Sequence, residues 1–185
     1  MRFLLAAVLA FAPCASVLGA STQWSSLADQ STLGFVAHWQ GTPVPGKFAK
    51  FQVTARLDPA NPSGGSLEVK IVTTSVSASS ADVTRAIRSK DWLDVEHYPS
   101  ATFVSQAIAA QSGGTLKVTG LLKLKGHART LSFPLTLSHE GDHPVLDGQL
   151  TLLRTDFDIG TGKWSDGKII AVPVSIVFHV VLGPA

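Results

Sequence analysis

Six histidines, one cysteine and a closely spaced pair of aspartates are the residues of this 185-residue chain whose types could do chemistry. The histidines are His38, His97, His127, His139, His143 and His179, and they are scattered. Only His139-Glu-Gly-Asp-His143 sets imidazoles and carboxylates close together. That stretch reads as a hairpin loop. Two imidazoles of undefined direction are too few for a closed zinc site, so no metal is assigned there. Asp156 and Asp158 fall on one side of an expected strand and could work as a carboxylate pair. The plainer reading is a strand end meeting solvent. No serine stands in a nucleophile-elbow pattern, and Gly160-Thr-Gly162 lacks the following glycine and helix that a phosphate loop needs. Nothing pairs a nucleophile with its base. The chain is therefore expected not to be an enzyme, with no catalytic residue, no metal and no cofactor.

The single cysteine, Cys14, belongs to a different kind of segment. Met1-Arg2 precedes the apolar run Phe3-Leu-Leu-Ala-Ala-Val-Leu-Ala-Phe11, which is too short to span a bilayer and is followed by small residues. This predicts a signal peptide over residues 1–20, cut near Gly19, Ala20 or Ser21, and one domain over 22–183. Pro13 before Cys14 speaks against a lipid-anchored cysteine. The mature chain would then carry no thiol, and so no disulfide and no thiolate metal site. No second run is long enough to be an integral membrane span, so the expected product is a soluble periplasmic or secreted protein. Removing the leader takes Arg2 from the 15 basic side chains and leaves 14 against 13 acidic ones. Such a balance argues against nucleic acid, which needs a concentrated basic face. Charged residues are only 15% of the chain and apolar ones 45%, against a usual charged share of about a quarter.

The elements that must position these residues are strands. Leu116, Val118, Gly120, Leu122 and Leu124 alternate with Lys117, Thr119, Lys123 and Lys125, the period-two pattern of a half-buried strand. Similar alternation marks eight strands near 32–40, 46–58, 66–77, 100–110, 115–125, 129–139, 145–158 and 168–181, with a short extra one around Trp24. Glycine- and proline-rich turns separate them, which favours an antiparallel meander. Eight long strands with one polar face close naturally into a barrel without an exposed edge. Pro134 and Pro173 interrupt strand patterns, so a bulge or frayed edge is expected at each. The predicted fold class is all-β: an eight-stranded antiparallel barrel with one short helix between strands. The helix is expected over about Asp82 to Trp92, capped by Ser79-Ser80-Ala81-Asp82 and stopped by Tyr98-Pro99. It would lace one barrel end or act as a lid, with Ile87 and Trp92 turned toward the lumen.

The inward apolar set is a better lead than any polar one. Leu33, Phe35, Phe48, Phe51, Leu122, Leu124, Phe133, Leu150, Leu152, Phe157 and Phe178 are candidates for an interior. They could form a collapsed core or the wall of a lipophilic pocket. Small residues among them, including Ala37, Gly120 and Gly148, either permit close approach or leave space.

Several ordered motifs carry a resemblance. They are Trp24, Ser31-x-x-x-Phe35-x-x-His38 and Gly46-x-Phe48-x-x-Phe51, then Arg88-Ser-Lys-Asp-Trp-Leu-Asp-Val-Glu-His-Tyr-Pro99 with Ala101-Thr-Phe103. Val118-x-Gly120-x-Leu122-x-Leu-Lys-Gly126 and Arg154-Thr-Asp-Phe157-x-Ile159 complete the series. In this order and spacing the chain resembles the YceI family of exported, lipocalin-like bacterial proteins. The resemblance implies non-catalytic binding or transport of a long-chain isoprenoid or other amphiphilic lipid, such as a polyprenyl phosphate or isoprenoid quinone. Phe35, Phe48, Phe51, Ile87, Trp92, Phe103, Leu122, Leu124, Phe133 and Phe157 would line the apolar lumen. His38, Arg88 and Arg154 would meet the head group at a polar rim. Trp92-Leu93 stands where the family commonly has two phenylalanines, and Asp158 where it often has glycine. Two other readings stay open: a filled barrel acting through its surface as a periplasmic stress or redox partner, or an enzyme built in the cavity. Pairing into a homodimer is also left open.

Overall fold

The computed structural model describes residues 22–58 and 62–185. The expected leader, Cys14 included, lies outside the described residues. The strands are β1 (Thr22–Ser26), β2 (Thr32–Trp39), β3 (Thr42–Phe48), β4 (Phe51–Leu57), β5 (Ser66–Val72), β6 (Val76–Ala78), β7 (Ser100–Ala110), β8 (Thr115–Leu124), β9 (His127–Glu140), β10 (His143–Leu153) and β11 (Pro173–Pro184). A single α-helix among the described residues, α1 (Ala81–Arg88), follows β6.

The barrel closes because β1 pairs with both β4 and β11. The ring runs β1-β4-β5-β7-β8-β9-β10-β11 and back to β1, all antiparallel where paired, an eight-stranded barrel. Three of its walls are bent. β2 continues β1 after a 3₁₀ turn, β3 leads into β4 across Ala49-Lys50, and β6 continues β5 after the turn at Thr73–Ser75. The kinks let β2, β3 and β6 carry the wall onward at one end, the end that also carries α1.

Alternation sets which residues face inward. On β8, Leu116, Val118, Gly120 and Leu122 are buried while Lys117 and Lys123 are exposed, as expected. The far end of the lumen is packed solid, with Leu116, Val118, Leu135 and Leu182 almost without exposure. Burying each such aliphatic side chain contributes about 1.5–3 kcal/mol, which makes this end the anchor of the fold.

Several boundaries differ from the sequence expectation, beginning with the stretches 46–58 and 66–77, each of which is divided between two strands, β3 with β4 and β5 with β6. α1 ends at Arg88 rather than near Trp92, because Ser89 is extended and its amide bonds Ala86 O. Its start follows expectation: Ser80 Oγ accepts from the Val83 amide at 3.2 Å. β10 stops at Leu153, and Arg154–Phe157 form a 3₁₀ turn, so Asp156 and Asp158 share no strand face. Asp158 has φ of 51°, the left-handed region that favours glycine. β9 begins at His127, and β11 runs from Pro173 to Pro184.

Pro134 lies in a regular pairing with Lys117 on one side. On its other side the β9–β10 ladder stops at Leu135↔Gly148, where a proline has no N–H to extend it. Pro173 is simply the first residue of β11. The register shift of the sheet is elsewhere, between Ser105 and Ala107 on β7, where Ser105 Oγ accepts from the Leu67 amide at 2.8 Å.

Candidate functional site: an apolar cavity under a two-loop lid

Above the solid end the lumen opens into a cavity of ≈ 220 Å³. The structure places Phe35, Phe48, Phe51, Ile87, Trp92, Phe103, Leu122, Leu124, Phe133 and Phe157 on its wall. Alternation brings Phe35 in from β2, Phe103 from β7 and Phe133 from β9. The rings meet as tilted or edge-on pairs, with centroids 5.4 Å apart for Phe103–Phe133 and 6.1 Å for Phe133–Phe178. Such contacts hold the wall beyond what area burial alone supplies. Sequence reasoning had not put Val53, Val174, Ile176 or Val180 on the site, yet all four line it. The alternation of β11 was the signal that could have found three of them.

Among the described residues, and apart from the indole of Trp92, the polar side chains on this wall are Thr73 and Arg154. Thr73 Oγ1 donates to Tyr98 O at 2.6 Å. Arg154 is buried at 2% exposure and spends all five N–H donors on backbone carbonyls. Nε donates to Ala171 O at 3.0 Å, Nη1 to Ile159 O and Gly160 O, and Nη2 to Ile170 O and Trp164 O. Its guanidinium also stands 5.7 Å from the centre of the Trp92 ring. Burial pushes its pKa down, opposed by Asp166.

The expected polar rim is therefore not assembled. Arg154 has no donor left for a head group; it folds the loop from 154 to 172 around itself. His38 alternates with the cavity-lining Ala37 on β2 and so takes the opposite face of the wall. Arg88 is exposed on α1 and donates Nη2 to Val76 O at 2.8 Å. The three side chains do not converge. His143 Nδ1 bonds Leu182 O at 2.9 Å, and no group of three or more His, Cys, Asp or Glu comes together among the described residues.

The lid has two layers. The segment from 89 to 98 turns back through Asp94, whose φ is 49°, and buries Leu93 and Val95 against Phe35 and Val76. The loop after β10 lies beside it. The amides of Gly160 and Thr161 both donate to Asp91 O, at 2.7 and 3.0 Å. Lys125, in the β8–β9 turn, donates Nζ to Lys90 O at 3.0 Å and to Asp158 O at 2.7 Å. Desolvation lowers the Lys125 pKa, against the pull of Asp94, Asp158 and Asp91. Trp92 and Trp164 pack at 6.0 Å where the layers meet. The sequence suggested one segment that laces the barrel end or covers it; the second layer was hidden because residues 159–167 read only as the turn between two strands.

The family model of the YceI-like domain matches residues 24–182. A UPF0312 protein of Pseudomonas savastanoi pv. phaseolicola is 33% identical over 137 residues, 70% of this chain and 71% of that protein. Among solved structures, Burkholderia cenocepacia BcnA superposes with a TM-score of 0.82 at 36% identity, over 84% of this chain and 98% of BcnA. A domain of Saccharophagus degradans described as polyisoprenoid binding and implicated in plant cell wall breakdown gives a TM-score of 0.70 at 14% identity, over 89% of this chain and 99% of that one. At that identity the second likeness speaks for the fold alone. With its motifs in order, its barrel shared and its match spanning nearly every described residue, the chain belongs to the family of YceI-like domains.

Proposed function

We propose that this protein binds the apolar chain of a long-chain isoprenoid or similar amphiphilic lipid in the upper lumen, without changing it chemically. The observation that carries the reading is the cavity wall: aliphatic and aromatic on every side, with its two polar side chains already hydrogen-bonded. Water finds few partners in such a space. An isoprenoid chain gains about 0.8 kcal/mol for each CH₂-sized group it removes from water there. No acid and base face each other across the wall, so the site supports holding rather than reaction. The polyisoprenoid description of a structural relative points to the same ligand class. The leader expected over residues 1–20 supports a protein that meets its ligand outside the cytoplasm.

Organic extraction of the purified protein followed by mass spectrometry tests this. A stoichiometric isoprenoid or other long-chain lipid is expected. A clean extract, together with no uptake of added polyprenyl phosphate, overturns the reading.

A further inference from the structure

The barrel wall has a gap beside β4. β1 pairs with β4 only through Thr22 to Ser25 against Thr54 to Leu57, and β2 pairs with β3 only from Gly34↔Lys47 onward. No ladder pair joins residues 27–33 to 48–53 among the described residues. A side chain spans the margin instead: the Val53 amide donates to Ser26 Oγ at 2.9 Å. The segment between β1 and β2 leans the other way. The Leu27 amide donates to Val181 O at 2.8 Å, and Ser31 Oγ accepts from the Val181 amide at 3.1 Å.

A groove of ≈ 330 Å³ is left on the outer wall. Gly34, Lys47, Ala49 and Val177 line it, Val177 being 44% exposed. Leu33, Phe48 and Phe51 line it too, and the same three side chains line the lumen cavity. They stand between the two spaces. Phe48 and Phe51 are only half-buried, so rotamer changes suffice to move them. The lid end offers no such economy. Opening it breaks the bonds of Gly160 and Thr161 to Asp91 and both Lys125 contacts, and disturbs the loop that Arg154 holds.

We infer that this groove is a lateral mouth of the cavity, through which the apolar chain of the ligand passes while the lid stays shut, with Leu33, Phe48 and Phe51 as its gate. The inference rests on the lipid-binding reading above.

The test is a lid lock. Asp91→Cys with Thr161→Cys, in a Cys14→Ser background, places two thiols on residues already joined by a backbone bond. Uptake of octaprenyl phosphate from detergent is followed in the reduced and oxidised forms. Equal rates are expected. Uptake by the reduced form that is lost on oxidation overturns the lateral mouth and leaves the lipid-binding reading standing. No uptake by either form overturns both. Ala49→Trp, which fills the groove from its exposed rim, should slow uptake about tenfold or more while leaving the bound amount at equilibrium unchanged, as expected of a gate. An unchanged rate in that variant also overturns the mouth.

Discussion

The tip of the Phe178 ring fills the space over Gly148, its direct cross-strand partner. A Cβ on Gly148 would stand 2.8 Å from Phe178 Cε1 and closer still to Cζ. The same arrangement recurs where Phe35 covers its partner Gly46, while Gly120 is covered from a diagonal position by Phe103 and also by the Val104 carbonyl oxygen. These glycines accommodate aromatic rings against the wall, and the lumen beyond the rings stays open.

Gly148→Ala should therefore push the Phe178 ring into the cavity. Overpacking of this kind costs about 1–3 kcal/mol. Denaturant unfolding should show that loss together with reduced lipid capacity. Gly34→Ala is the control, because its Cβ would meet Gly46 O at an ordinary 3.4 Å. It should be neutral or stabilising by up to ~1 kcal/mol. Equal losses from the two would show that the ring contact is unimportant.

Leu122→Arg places a charge on a side chain that is 7% exposed and lines the cavity. An unpaired buried polar group costs on the order of 2–7 kcal/mol, so both stability and lipid binding should fall. Lys123→Arg, one residue along and exposed, should be nearly silent in both measurements. Similar behaviour of the two variants would contradict the register of β8.

Arg154→Met keeps much of the volume and strands five carbonyls. A loss of about 3–5 kcal/mol is expected, comparable to breaking a buried ionic network. Hydrogen exchange should quicken first at the Gly160 and Thr161 amides, which lie in the loop that Arg154 organises. Arg154→Lys should rescue little, since an ammonium has three donors and no planar fork. Full rescue by lysine would mean that charge alone matters there.

His97 gives the lid a pH dependence. Its Nδ1 lies 2.8 Å from Asp94 Oδ1, and that hydrogen bond, with the Asp94 charge, raises its pKa above the ordinary 6.5. A raised pKa means the folded lid holds the proton more tightly than the unfolded chain does. The contribution is fully present below 6.5 and fades as pH rises through the raised value. His97→Asn should cost more stability near pH 5 than near pH 8.5, well above the ordinary histidine range. A pH-independent difference, or an NMR titration of His97 at or below its ordinary value, would contradict the pairing.

The strands were legible because period-two alternation is a local property: each inward residue of β8 announces itself two positions from the next. The aromatic wall was legible for the same reason, as Phe35, Phe103 and Phe133 each sit on an alternating strand. The cap of α1 was legible too, since Ser80 acts on an amide three residues away. Other features were decided only when distant segments met. Leu122 and Val118 share one face of one strand, yet one lines a cavity and the other sits in solid core. Their depth depends on how eight strands stagger around the closed barrel, which no single strand encodes. Arg154 looked like a rim cation because its charge is written in the chain. Its carbonyl partners, spread from 159 to 171, come together only when the loop folds back on the guanidinium. The gap beside β4 likewise exists because β1 and β2 share one edge of β11 and part company between their pairings, a consequence of long-range register.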